Sequence, residues 1–87
     1  RFTVRLTGCA ADELGLVRAQ GTIRNDSSSE QTYEVEVVLE DASGTRVDSS
    51  SDYVSDLPAG GLAAWEATSF DSSARRCAQP TVEVSEY

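Results

Sequence analysis

The chain has 87 residues and a formal net charge of −8, and this length allows one domain with a single small core. Its seven basic residues are all arginine and form no cluster longer than two, so we expect neither nucleic acid nor a membrane surface as a partner. Without histidine or lysine, the chain cannot form a Ser–His–Asp triad, a Cys–His pair or a Ser–Lys dyad. We therefore predict a protein with no enzymatic activity and no cofactor.

The first two predicted strands show an alternation of apolar and polar residues. Phe2, Val4 and Leu6 share one face of the first strand, which we expect to end at Gly8-Cys9. A turn over residues 10–15 leads to a second strand, whose apolar face consists of Val17, Ala19, Gly21 and Ile23. This period of two is typical of strands with one buried and one solvated face. It favours an antiparallel sheet, because strands of a parallel sheet are usually covered on both faces.

A third strand follows the polar loop 26–30 and has the strongest alternation in the chain. Its apolar face consists of Tyr33, Val35, Val37 and Leu39, and its polar face of Glu34, Glu36 and Glu40. We interpret these glutamates as residues that keep the strand soluble and discourage pairing with other chains, and not as a catalytic carboxylate pair. Asp41 to Gly44 has the spacing of a type I turn whose aspartate caps its own backbone, so residues 45–47 are the returning arm of a hairpin.

The second half of the chain supplies the remaining strands. Residues 48–52 are weakly specified and predict an edge strand or a bulge, and Pro58 to Gly61 indicates a sharp reversal. The strand over residues 62–70 contains the single tryptophan, Trp65, and a last strand spans residues 81–85. Six or seven short strands at this spacing predict an all-β fold, an immunoglobulin-like antiparallel β-sandwich that occupies residues 1–87 as one domain.

The two cysteines, Cys9 and Cys77, lie near opposite ends of the chain. Their even number favours a disulfide, as does the lack of a histidine or third cysteine to complete a metal site; two separate buried thiols are the alternative. A disulfide implies an oxidising compartment, so we expect an extracellular or cell-envelope location. Because the chain begins at Arg1 without methionine, we also expect it to be part of a longer secreted or membrane-anchored precursor.

Three further patterns have both a functional and a structural interpretation. Trp65 and Tyr53 would form a carbohydrate-binding platform if both were exposed, but a lone tryptophan in a small sandwich usually fills the core, and we expect Tyr53 to lie there as well. Asn25 begins a glycosylation sequon, although an asparagine at a strand end more often binds the adjoining loop. The aspartates within residues 48–56 supply oxygen atoms suited to calcium, but the spacing of an EF-hand loop is absent and we favour a solvated acidic segment.

A series of short motifs lies between residues 21 and 67. They are the segments Gly21 to Asn25 and Val37 to Asp41, then Gly44, and then Leu57 to Gly60 before the strand with Trp65. Together these motifs resemble the FxLYD family of small bacterial and archaeal extracytoplasmic domains. Leu39 and Asp41 match two residues of the family name, whereas Val37 and Glu40 replace its phenylalanine and tyrosine. The resemblance implies a fibronectin- or immunoglobulin-like sandwich in a secreted, lipid-anchored or single-span protein, without catalytic residues.

These observations lead to a functional hypothesis. We expect a non-catalytic extracytoplasmic module that binds another protein or acts as a spacer, and that makes no direct contact with the membrane. The alternative is a carbohydrate-binding accessory module of a secreted enzyme. A partner protein, or a second copy of the chain, would pair with the weakly specified edge strand. The candidate residues at that edge are Arg46, Asp48, Ser50, Asp52 and Tyr53.

Overall fold

The computed structural model describes residues 1–85, which form seven β-strands. The strands are β1 (Phe2–Ala11), β2 (Val17–Asn25), β3 (Gln31–Glu40), β4 (Arg46–Leu57), β5 (Leu62–Thr68), β6 (Arg76–Cys77) and β7 (Thr81–Ser85). All pairings are antiparallel and give two sheets: β1-β2-β5, and β4-β3 with β6 and β7 both on the far side of β3. The predicted all-β antiparallel sandwich is therefore confirmed. None of the described residues belongs to a helix that could cross a bilayer.

The core lies between β2 and β3, the central strands of the two sheets. The apolar faces predicted for these two strands are buried, and Tyr33 is the largest of their fully buried side chains. Trp65 packs against them from β5 and is 2% exposed, so its predicted place in the core is confirmed. Gly21 lies opposite Trp65, and a Cβ atom there would overlap the Trp65 ring and the carbonyl oxygen of Arg5. Glycine is therefore required where the tryptophan crosses β2.

Two strands are longer than the sequence predicted. β1 continues past Gly8-Cys9 to Ala11, because an irregularity between Leu6 and Gly8 shifts its register with β2 and pairing then resumes. Residues 48–52 lie in an edge strand, as predicted, but this strand is the 12-residue β4, which pairs along the whole of β3. The serines and aspartates of β4 do not by themselves specify a strand. Hydrogen bonds with the continuous backbone of β3 hold this segment in an extended conformation. β5, in contrast, ends at Thr68 and not at Phe70.

Cys9 of β1 and Cys77 of β6 form a disulfide, with their Cα atoms 6.0 Å apart. The predicted pairing is confirmed, and the alternative of two separate thiols is excluded. Because β1 and β6 belong to different sheets, the bond links the sheets along one long side of the sandwich. A disulfide suggests an oxidising environment of the extracellular type.

Removing the disulfide is expected to destabilise the domain strongly. The bond spans a sequence separation of 68 residues, so its loss should lower the free energy of unfolding by about 4 kcal/mol. Urea denaturation followed by Trp65 fluorescence, with and without reductant, measures this change. The double variant Cys9→Ser, Cys77→Ser is the control, and reductant should leave its transition unchanged. A wild-type transition that is equally insensitive to reductant would contradict the prediction.

Candidate interaction site

The residues of the predicted partner surface all lie in β4. Within residues 1–85 this strand pairs with β3 alone, so its other side is an edge of the sheet. Three of the five residues lie opposite buried side chains of β3 and therefore on its core-facing side: Asp48, Ser50 and Asp52. The other two, Arg46 and Tyr53, lie on the outer face opposite glutamates of β3. The structure thus divides the predicted surface between the two faces of one strand.

The two core-facing aspartates of β4 form hydrogen bonds with the other sheet. One bonds to β5 itself and the other to the residue that follows β5. The Oδ2 atom of Asp52 accepts a hydrogen bond of 3.0 Å from the backbone N–H of Glu66. The Oδ2 atom of Asp48 accepts one of 2.7 Å from the hydroxyl of Ser69, which is fully buried. These bonds join the sheets along the long side opposite the disulfide. Both acids therefore have a structural role that the sequence did not reveal.

This arrangement opposes strand addition at β4. Inward-pointing charged side chains on an edge strand are one of the ways in which proteins prevent another strand from docking there. Asp48 and Asp52 are such side chains, and their contacts with β5 already explain why they are acidic. A partner surface at β4 stays a prediction, and its outer-face residues Arg46 and Tyr53 are the more accessible part of it.

Replacing Asp48 with alanine is expected to destabilise the β4–β5 side. The change removes a charge-assisted hydrogen bond to the buried Ser69 hydroxyl, which should lower the free energy of unfolding by about 2 kcal/mol. The matched control is Glu30→Ala, an exposed carboxylate in the loop before β3, with an expected change within about 0.5 kcal/mol. Urea denaturation of both variants provides the measurement, and equal stabilities would contradict the proposed contact.

The opposite edge of the same sheet, at β7, is apolar on its core side. Val82 and Val84 lie opposite buried residues of β3 and so face the interior, yet Val84 is 39% exposed. In the other sheet, β1 places Phe2 and Val4 on its own core side, and Phe2 is 38% exposed. β1 and β7 lie at the same long side of the sandwich, in different sheets, and do not pair with each other. We call the boundary between them, lined by Phe2, Val4, Val82 and Val84, the β1–β7 seam.

Tyr33 forms the floor of the β1–β7 seam. Its ring packs edge-on against that of Phe2, with centroids 5.9 Å apart, and its cross-strand neighbour in β7 is Val84. The tyrosine is fully buried, and its hydroxyl donates a hydrogen bond to the side chain of Asn25. The floor of the seam is therefore fixed, while its two walls are partly open to solvent.

The outer face of β3 and β7, beside this seam, is acidic. Glu34 lies directly opposite Glu83, and Glu36 lies opposite Thr81. None of these three glutamates forms an ion pair with an arginine within residues 1–85. Like charges directly opposite each other destabilise a sheet. This face therefore carries a repulsion that a cationic group placed next to it would relieve.

Three turns at one end of the sandwich have the same construction, each beginning with an aspartate: Asp12, Asp41 and Asp71. The Oδ1 atom of each accepts a hydrogen bond from the backbone N–H two residues later, and the carbonyl oxygen accepts one from the N–H three residues later. The predicted turn at Asp41 is confirmed, and the other two were not predicted in this form. Side-chain hydrogen bonds from Ser43 and Ser73 hold the pKa of Asp41 and of Asp71 below its usual value.

Acid is expected to destabilise the domain partly through these turns. Because the pKa of Asp41 and of Asp71 is lower in the folded chain than the ordinary 3.8, their stabilisation is present above that pH and is lost as the pH falls through the folded values. The double variant Asp41→Asn, Asp71→Asn should therefore lose less stability than wild type between about pH 5 and about pH 2. Thermal unfolding across this range checks it, and parallel curves for the two proteins would contradict it.

The two aromatic residues have different positions. Trp65 is buried and its Nε1–H donates to the carbonyl oxygen of Thr22 at 3.1 Å, so it does not form an exposed platform with Tyr53. The prediction that Tyr53 also lies in the core is wrong, because this residue lies on the outer face of the edge strand β4 and is 62% exposed. Among residues 1–85, no group of three or more acidic, histidine or cysteine side chains is arranged to hold a metal ion.

Asn25 is buried, and its side chain connects the loop 26–30 to the end of β4. Its amide donates to the carbonyl oxygens of Ser29 and Leu57, and its Oδ1 atom accepts hydrogen bonds from Ser27 and the Tyr33 hydroxyl. The prediction that this asparagine binds the adjoining loop is confirmed. Because the side-chain amide is fully buried and donates hydrogen bonds to two carbonyl oxygens, the glycosylation interpretation is not supported.

Comparison of the chain with protein-family models, with curated proteins and with solved structures finds no match. Function must therefore be inferred from the surfaces themselves. Two candidates are present, the edge of β4 and the β1–β7 seam with its acidic outer face. The sequence revealed the first but not the second, because alternation in residues 81–85 predicts a strand without showing which strand faces it.

Proposed function

We propose that the chain is a non-catalytic extracytoplasmic module that binds another protein through an edge of its sandwich. The β1–β7 seam is the observation that carries this proposal. Core-type side chains, among them Phe2 and Val84, are partly exposed there beside a strand edge. Apolar surface next to an unpaired strand edge is typical of sites where proteins add a strand from a partner.

The proposal includes a location outside the cytoplasm and membership of the FxLYD family. The disulfide between Cys9 and Cys77 supports a compartment outside the cytoplasm, either secreted or in the cell envelope. The resemblance of residues 21–67 to the FxLYD family supports the same location, since those domains belong to secreted, lipid-anchored or single-span proteins.

Partner binding is preferred to a purely mechanical spacer, because a spacer has no use for exposed apolar side chains such as Phe2 and Val84 beside a strand edge. Carbohydrate binding is the weaker proposal, because the buried Trp65 leaves no pair of exposed aromatic rings with Tyr53.

Site-specific photo-crosslinking tests the proposed function. A photoreactive phenylalanine analogue replaces Val84 at the seam, Tyr53 at the β4 edge, or Phe70, which is 78% exposed at the end with the three aspartate turns. Each oxidised domain is irradiated with the secreted and envelope fractions of the source cells. We expect one discrete protein adduct at Val84 or Tyr53, and none at Phe70 or with domain that has been reduced and heat-denatured beforehand. If no position gives an adduct that requires the folded domain, the proposed function is wrong.

A further inference from the structure

We propose that the β1–β7 seam accepts an extended segment of a partner protein in which apolar and basic residues alternate. This inference rests on the proposed function and names the class of its partner. The segment pairs with the outer side of β7, which adds one strand to the sheet formed by β4, β3 and β7.

The backbone of β7 provides the first requirement for strand addition. Within residues 1–85, β7 pairs with β3 on one side and with no strand on the other. In a strand, backbone groups point alternately to the two sides, so part of the N–H and C=O groups of Thr81 to Ser85 face away from the sheet. These five residues contain no proline, so their outer side can form hydrogen bonds with a strand of similar length.

The seam determines which side chains the added strand must place inward. Every second residue of a strand beside β7 lies next to Val82 or Val84, at the boundary with β1. In β1, Val4 is partly buried against the core, and Phe2 is 38% exposed. Apolar side chains in these inward positions would remove the exposed parts of Phe2 and Val84 from water. The disulfide at Cys9 joins β1 to β6 near the other end of this side, so no covalent link covers Phe2 and Val84.

The acidic outer face determines the remaining side chains. The other residues of the added strand lie on the same face as Glu83, which already lies opposite Glu34. A basic residue opposite Glu83 would place a cation beside two repelling carboxylates, and cross-strand pairs of opposite charge stabilise a sheet. The net charge of −8 also attracts a cationic segment during diffusional encounter. Inward apolar and outward basic residues together give the alternating pattern.

The same charges argue against the other occupants. Two copies of the chain that paired antiparallel through the centre of β7 would bring one Glu83 next to the other, and each copy has a net charge of −8. The β4 edge cannot take the same partner, because Asp48 and Asp52 occupy its inward positions and bind β5. A basic segment from a different protein is the occupant that fits both faces of β7.

Binding of synthetic peptides to the oxidised domain tests this partner class. The probe is a short labelled peptide of alternating valine and lysine, and the matched control is a peptide of the same length with glutamate in place of lysine. Fluorescence anisotropy should show binding of the valine–lysine peptide at least about tenfold tighter than that of the valine–glutamate peptide. Higher salt should reduce this preference, because the outer-face charges are exposed to solvent.

Three variants locate the site. Glu83→Arg should reverse the preference between the peptides, and Val84→Asp should abolish binding of both. Leu62→Asp is the matched control, since Leu62 is 67% exposed on β5 away from the seam, and it should bind as wild type does. Trp65 fluorescence and the melting temperature verify that each variant folds. Hydrogen exchange should show that the valine–lysine peptide protects amides of β7 and not those of β4.

Several results would overturn the inference. They are no binding of the valine–lysine peptide, equal binding of the two peptides, protection at β4 in place of β7, or a dimer of the chain formed through β7. The crosslinking experiment separates this failure from that of the proposed function. A partner crosslinked at Tyr53, together with no peptide binding at β7, would leave the interaction module in place and remove only the alternating segment.

Discussion

Contacts between the edges of the two sheets, which close the two long sides of the sandwich, hold this domain together, because no strand of the described chain pairs with both sheets. The covalent bond between Cys9 and Cys77 closes one side. On the other side, Asp48 and Asp52 do so through hydrogen bonds to Ser69 and the backbone of β5. A domain of this size buries only about 60% of the surface of its unfolded chain, so its central strands alone leave a small margin of stability. Both closures therefore contribute substantially to the stability of the fold.

The two closures leave the sides with different chemistry. The aspartates contact β5 at two points spaced along β4, so that side is filled and polar. The disulfide fixes its side at a single point near one end, and the stretch between Phe2 and Val84 stays partly open and apolar. One side of the molecule is thus protected from further strands, whereas the other retains the backbone, the apolar surface and the charge that strand addition uses.

The parts of this structure that were predictable are those in which burial alone sets the residue type. The alternation of β2 and β3 records which face lies in the core, and Trp65 was placed by its size and isolation. The length of β4 and the role of Asp48 were not predictable, because serine and aspartate in a row look the same whether solvent or a neighbouring strand satisfies them. The seam depends on strand order, which brings Phe2 and Val84 to the same long side from opposite ends of the chain.

The three turns that begin with aspartate have a consequence for variation in this protein. Each is closed by its own aspartate and backbone, and in each the second residue is exposed: Glu13, Ala42 and Ser72. The side chains at these positions form none of the hydrogen bonds that close the turns and lie outside the core, so evolution or a protein engineer can change them with little effect on folding. The end of the sandwich remote from Phe2 and Ser85 is thus a scaffold on which new recognition surfaces can be built independently of the seam.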